Sequence, residues 1–261
     1  MEDRWASGAA YESFMGRWSR RIGLAFVEWL APDPGGRWLE LGSGTGALTE
    51  QILRRTDPDL VIATDSALPL LGVAQRQLSN ERVSFVAAEA GGLPLATAKL
   101  DWVVSGLVLN FLPKPDIAIA RATRLLNPGG RLAAYVWDYA EGMQFLRHFW
   151  DAVIELDPAA AELDEAIRFP LCRPGPLADL IKQAGLDQVE LVPLEIVTEF
   201  KSFADFWQPF QAGTGPAPTY VHRLPRSKRV GLEAALRAKL GGGSGNGFVL
   251  KARAWAVRAV A

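Results

Sequence analysis

The stretch Trp38-Leu39-Glu40-Leu41-Gly42-Ser43-Gly44-Thr45-Gly46-Ala47-Leu48-Thr49 passes from a short apolar run into alternating glycines and then into apolar residues at helix spacing. That order predicts a strand, a tight turn and a helix. Glycine admits positive φ and a close backbone approach, and the first helical turn leaves N–H groups without intrahelical partners, so such a turn can receive a nucleotide-like cofactor. The glycines alone leave the cofactor open, because Gly42, Gly44 and Ala47 also fit G-x-G-x-x-A, a dinucleotide fingerprint. Glu40 discriminates: a carboxylate at the strand end opposes a pyrophosphate but suits a cationic amino-acid moiety. Asp65 closes the next apolar stretch, Leu60-Val61-Ile62-Ala63-Thr64, and offers acceptor oxygens to both hydroxyls of a ribose.

Short apolar runs alternate with helical patterns on either side, which favours a parallel sheet covered on both faces. The pattern predicts strands over 37–41, 60–64, 83–87, 100–105 and 131–137, and helices near 19–30, 46–55, 67–78 and 114–126. Farther on, 174–184 reads as a helix ending near Gly185, followed by strands over 189–198 and 248–257.

Glu40, Gly42, Gly44 and Gly46 stand in the order E-x-G-x-G-x-G, and here the chain resembles the class I methyltransferases that use S-adenosylmethionine, especially the small-molecule type. In that family the signature forms the cofactor loop, and Asp65 resembles the acidic residue that grips the ribose. Glu89 and Ala90, within Phe85-Val86-Ala87-Ala88-Glu89-Ala90-Gly91-Gly92-Leu93-Pro94, look like the G-D-A-x-x-L-P segment that contacts adenine, with Ala88 and Glu89 where the family usually has glycine and aspartate. Leu125-Leu126-Asn127-Pro128-Gly129-Gly130-Arg131-Leu132 matches the L-x-P-G-G-x-L turn before strand five.

The resemblance covers residues 37–137. It implies a Rossmann-like α/β fold whose mostly parallel seven-stranded sheet ends in a hairpin-like edge with one antiparallel strand, the last two strands being joined by an extended connection. It implies S-adenosyl-L-methionine as cofactor, S-adenosyl-L-homocysteine as product, and a small-molecule methyl acceptor. Ser43, Ser66, Ser105 and Leu107 would border the cofactor. Residues 1–261 would form one methyltransferase domain, with a lid and first helix in 1–30, a cofactor-binding core in 37–137, and substrate-cap insertions in 139–172 and 203–246.

Composition is consistent with this. The chain has 261 residues, 49% of them hydrophobic, and 28 Lys plus Arg against 29 Asp plus Glu leave a formal charge of −1. Such a balance supplies no general drive toward nucleic acid or an anionic membrane. Without an apolar N-terminal secretion segment or an uninterrupted spanning stretch, the expected location is cytoplasmic. Cys172 stands alone, and with His148 and His222 as the histidines no metal site is expected.

Acceptor choice is expected to reside in the aromatic N-terminus and the two insertions. Tyr11, Phe14, Arg17, Trp18, Asn110, Trp137, Phe206, Trp207 and Tyr220 are candidate acceptor contacts, although aromatics at helical spacing also serve as core. Asp138, Tyr139 and His148 are candidate proton-transfer or hydrogen-bonding groups, each of which also has a structural reading as a cap or a helix-face residue. An NAD-linked oxidoreductase is the second enzyme class, disfavoured by Glu40 and by the missing tyrosine-lysine spacing of short-chain reductases. A non-catalytic cofactor-binding or protein-interaction module is the third reading.

Overall fold

In the computed structural model the described residues are 12–93, 99–212, 215–241 and 247–261, so Tyr11 and Pro94 lie outside them. The chain lays down seven strands: β1 (Arg37–Leu41), β2 (Leu60–Asp65), β3 (Val83–Ala87), β4 (Leu100–Gly106), β5 (Leu126–Trp137), β6 (Asp187–Phe200) and β7 (Phe248–Val260). The helices are α1 (Arg17–Leu30), α2 (Ala47–Arg55), α3 (Leu68–Gln77), α4 (Pro115–Thr123), α5 (Gln144–Leu156), α6 (Glu165–Arg168), α7 (Pro174–Gln183), α8 (Phe203–Trp207), α9 (Pro216–Arg223) and α10 (Arg226–Lys239). A π-helical turn, Glu12–Gly16, leads into α1, and short 3-10 turns punctuate the rest.

The sheet order is β3-β2-β1-β4-β5-β7-β6. Neighbours from β3 to β5 pair in parallel, and β7 runs antiparallel to both β5 and β6. This is the mostly parallel seven-stranded sheet with one reversed strand that the resemblance implies. The central strand β1 is buried from Trp38 to Leu41, as expected of a strand with both faces covered. Trp38 sits opposite Trp102 of β4, and their rings stack at 4.9 Å with 7° between planes. On α1 the four-residue spacing of Trp18, Ile22, Phe26 and Leu30 makes one buried stripe, and Phe26 meets Tyr135 of β5 at 4.5 Å. The order β2-β1-β4 reverses direction beside β1, so a crevice opens past the C-terminal ends of β1 and β4, where such sheets bind ligands.

The structure departs from the sequence reading at three places. The helix expected over 114–126 stops at Thr123, and Leu126 already belongs to β5, opposite Leu100. The register then slips before Trp102 meets Arg131, which accommodates the Asn127-Pro128-Gly129-Gly130 turn. Leu125 and Leu126 continue the apolar spacing of α4, but cross-strand pairing overrides that local signal. Strands β6 and β7 extend beyond the expected limits because they pair with each other from Asp187↔Val260 to Phe200↔Phe248. Their connection is largely helical, carrying α8 to α10.

Removing the inner tryptophan tests this core. Trp38→Ala is expected to cost about 3–5 kcal/mol, since it empties a fully buried site and unstacks Trp102. Urea unfolding measures it; a loss below about 1 kcal/mol would contradict the packing described.

Candidate functional site

The glycine loop is held by the strand next to it. Gly42 N–H and Ser43 N–H both donate to the Thr64 carbonyl at 2.8 Å, folding the loop over the end of β2. Asp65 completes the hold, its Oδ2 accepting from Gly44 N–H at 2.8 Å and its Oδ1 from Ala67 N–H at 2.7 Å. A carboxylate can accept about four hydrogen bonds, so both oxygens keep capacity for hydroxyl donors. Gly42 has φ 73°, and a Cβ there would come within 2.5 Å of Val108. Gly44 has φ 55°, and no atom lies within 4 Å of where its Cβ would be, so the loop crest is open to a ligand.

Glu40 lies beneath this loop, buried, with Thr49 Oγ1 donating to its Oε2 at 2.5 Å. Burial lifts its carboxyl to about 7; the Asp65 charge pushes the same way, and the Thr49 bond opposes both. Ser43 Oγ is buried with no hydrogen-bond partner. Glu40, Ser43 and Asp65 line one cavity of about 810 Å³ together with Ser66, Glu89, Ala90 and Leu107. A buried carboxyl with no cation paired to it among the described residues, an orphaned hydroxyl, a second carboxylate and an open glycine crest fit the ammonium and ribose of an adenosylated amino acid.

The same cavity continues to Phe14, Trp137 and Tyr139. Other sequence candidates lie elsewhere. Gly46, at φ 85°, caps α2 outside the lining, and Ser105 donates from Oγ to the Leu41 carbonyl at 3.1 Å, tying β4 to β1. Arg17 pairs with Asp205 at 3.0 Å and lies over the Trp18 ring, while Trp18 packs edge-on against Phe200. Phe206 and Trp207 are core. Tyr220 borders a separate cavity of about 150 Å³ with Asp157 and Lys228. Asn110 sits beside the lining residue Phe111 without lining the cavity itself, and its buried Nδ2 has no partner.

The proton-transfer candidates separate in the same way. Trp137 and Tyr139 face the cavity while Asp138, between them, turns away, the two-residue alternation of extended chain. Asp138 is buried against Arg253 of β7 at 2.6 Å and accepts from Glu141 N–H at 3.1 Å. His148 lies on α5 outside the lining, its pKa lowered by burial and by Lys239, with Asp151 opposing. The buried stripe of α5 runs through Phe145, Leu146, Phe149, Trp150 and Val153, and His148 falls off it.

Sequence reasoning missed two parts of the site. Glu12 accepts from Thr45 Oγ1 and pairs with Arg20 at 2.5 Å, while Arg20 reaches Glu50 at 3.3 Å, so the segment before α1 is fastened to the glycine loop. Glu165, from the first insertion, also lines the cavity, and no spacing rule pointed to it. Among the described residues no three His, Cys, Asp or Glu side chains gather as a metal site, and no helix is long and apolar enough to cross a membrane.

This sheet order, with an acidic residue before an open glycine loop and a second at the end of β2, defines the class I methyltransferase fold. Residues 39–134 match the family described as "Methyltransferase domain". Over 161 residues the chain is 31% identical to malonyl-[acyl-carrier protein] O-methyltransferase of Methylococcus capsulatus, covering 58% of each protein. Over 149 residues it is 32% identical to the biotin biosynthesis bifunctional protein BioHC of Cellvibrio japonicus, covering 56% of this chain and 28% of that protein. Phosphoethanolamine N-methyltransferase 2 of Haemonchus contortus, solved with S-adenosyl-L-methionine, shares the fold at a TM-score of 0.60 and 17% identity, over 97% of this chain and 56% of that one. The chain thus spans between 28% and 58% of the length of these curated relatives. It shares the fold of the class I methyltransferases, and the match to a methyltransferase domain lies in residues 39–134.

Two outcomes follow from the site's charges. The ordinary Glu40 value is 4.5 and the folded one about 7, so between these the folded chain keeps a proton that the unfolded chain has released. Stability therefore falls as pH rises across that interval. Thermal unfolding from about pH 5 to about pH 8 is expected to show this fall, and Glu40→Gln to make it shallower. An identical slope in the variant would contradict the buried carboxyl. Asp138→Ala is expected to cost about 3 kcal/mol, the low end for a broken buried pair because Arg253 keeps part of its surface in water, with cofactor affinity unchanged in the folded fraction. Calorimetric titration beside urea unfolding checks both parts.

Proposed function

We propose that the protein transfers the methyl group of S-adenosylmethionine to a small organic acceptor. The observation that carries this reading is the continuity of one cavity, from Glu40, Ser43 and Asp65 at the glycine loop to Phe14, Trp137 and Tyr139 beyond β5. When bound, the cofactor supplies an electrophilic methyl on a sulfonium. The chain's part is positioning: Glu40 and Ser43 hold the amino-acid end, Asp65 the ribose, and Glu89 with Ala90 the base. The aromatic wall holds the acceptor and keeps water away. No protein nucleophile is needed.

The named relatives act on oxygen in one case and nitrogen in another, so they leave the acceptor atom of this chain open. In this reading residues 1–261 work as one domain, with 1–30 as lid and first helix, 37–137 as cofactor core, and 139–172 and 203–246 as caps over the acceptor. The protein works in the cytoplasm.

Calorimetry with S-adenosylmethionine, S-adenosylhomocysteine and NAD tests the reading, followed by mass spectrometry of labelled methyl transfer to a metabolite extract. Binding of the adenosyl ligands in preference to NAD is expected. Asp65→Ala should weaken it by about 1–3 kcal/mol through loss of ribose contacts and of the bond to Gly44 N–H. Tight NAD binding with no uptake of either adenosyl ligand would reject the proposal.

A further inference from the structure

The proposed cofactor cradle uses the carboxyls at the glycine-loop half of the cavity and leaves one buried carboxyl, Glu165, unassigned. Its place is set by packing. Asp164 caps α6, accepting from Ala166 N–H at 2.9 Å, and pairs with Arg147 of α5 at 2.5 Å. Trp150 Nε1 donates to Glu165 Oε2, which fixes the carboxyl against α5. Just past α6, Phe169 meets Phe111 at 4.9 Å and Tyr139 at 5.7 Å, residues that follow β4 and β5. Glu165 therefore enters the cavity from the β4–β5 half, across the sheet from β2 and Asp65.

We propose that Glu165 is the general base of the transfer and that the acceptor is a neutral aromatic or enolic alcohol, an inference that rests on the methyl-transfer reading above. The wall it shares, with Phe14, Phe111, Trp137 and Tyr139, suits a flat, apolar body. The cations in the lining, Lys114 and Arg121, are exposed ahead of and on α4, and Arg147 lies outside the lining and is paired with Asp164, so an acceptor carboxylate placed against Glu165 would meet a like charge. A protonated amine has no lone pair to offer. A hydroxyl can donate to Glu165 and gain nucleophilicity by doing so.

The step balances. As the acceptor oxygen forms its bond to the methyl carbon, its proton passes to Glu165 and the C–S electron pair returns to sulfur. The sulfonium becomes a neutral thioether, and the carboxylate becomes a carboxylic acid that releases its proton to solvent after the product leaves.

The surroundings suit this task. Burial lifts the Glu165 carboxyl to about 7, Asp164 pushing the same way, while its own backbone N–H, Trp150 and Arg147 pull it down. Cys172, whose thiol is raised by burial and by Asp138 and Glu165, stays neutral, and Tyr139 shares the cavity wall with Glu165. A base near working pH takes and returns a proton with little cost either way.

The competing role is structural: a buried acid that merely fastens α6 to α5. Glu165→Gln separates the two, because its amide oxygen still accepts from Trp150 while its basicity is gone. Protein saturated with S-adenosylhomocysteine, which occupies Glu40, is titrated with 2-naphthol, 2-naphthoate and 2-naphthylmethylamine at about pH 6 and about pH 8. Wild type is expected to bind 2-naphthol best, with affinity rising roughly tenfold over that range as Glu165 loses its proton. Glu165→Gln should remove the rise, and should slow single-turnover transfer to 2-naphthol by about 100-fold or more while S-adenosylhomocysteine affinity stays within about threefold. The infrared carboxylic-acid band of wild type, read without substitution, should fade across the same interval. Preference for the carboxylate or the amine, no binding or methylation of 2-naphthol, a pH-independent affinity, or an unslowed variant would each overturn the inference. Failure of wild type to take up S-adenosylhomocysteine would instead be a failure of the proposed function.

Discussion

The site depends on a backbone contact between two neighbouring strands. The Thr64 carbonyl takes two N–H groups from the glycine loop and the Asp65 carboxylate takes a third. These bonds turn a flexible run of glycines into a fixed cradle, so its conformational entropy is already lost before a ligand arrives. They also bring β1 and β2 into register at the crevice, where the Asp65 charge helps raise the Glu40 pKa. The crevice itself exists because the order β2-β1-β4 sends successive connections to opposite faces of the sheet.

Around that cradle the chain repeatedly ties acids to elements distant in sequence. Glu12 ties the segment before α1 to Thr45, Asp138 ties the exit of β5 to β7, and Asp205 ties α8 to α1 through Arg17. Glu40 and Glu165 differ from these: each is buried and accepts from a neutral donor, and no ion pair to either is formed among the described residues. Burial of this kind favours the protonated form and makes the group responsive to an arriving cation or proton.

The sheet and the glycine-loop end of the cavity were legible in the sequence because their signals are local. Glu40 and the glycines lie within a few residues of one another, and each strand announces itself as an apolar run with a bounded end. The far end of the cavity was less legible residue by residue, since its wall is assembled from the N-terminal segment, the exits of β4 and β5, and both insertions. Aromatic content could not sort Phe14 and Trp137, which face the cavity, from Trp18, Phe206 and Trp207, which fill the core. Glu165 carries no motif; what sets it apart is the contact with Trp150 made by a tertiary fold.

The exit of β5 places Trp137 and Tyr139 on the cavity and Asp138 on Arg253, one residue apart. Cavity wall and strand docking thus occupy alternate positions of a single short segment. Replacement at 137 or 139 reshapes the cavity wall, while 138 keeps the strand docked. A lineage of such proteins can therefore diversify its chemistry at this edge without renegotiating its fold.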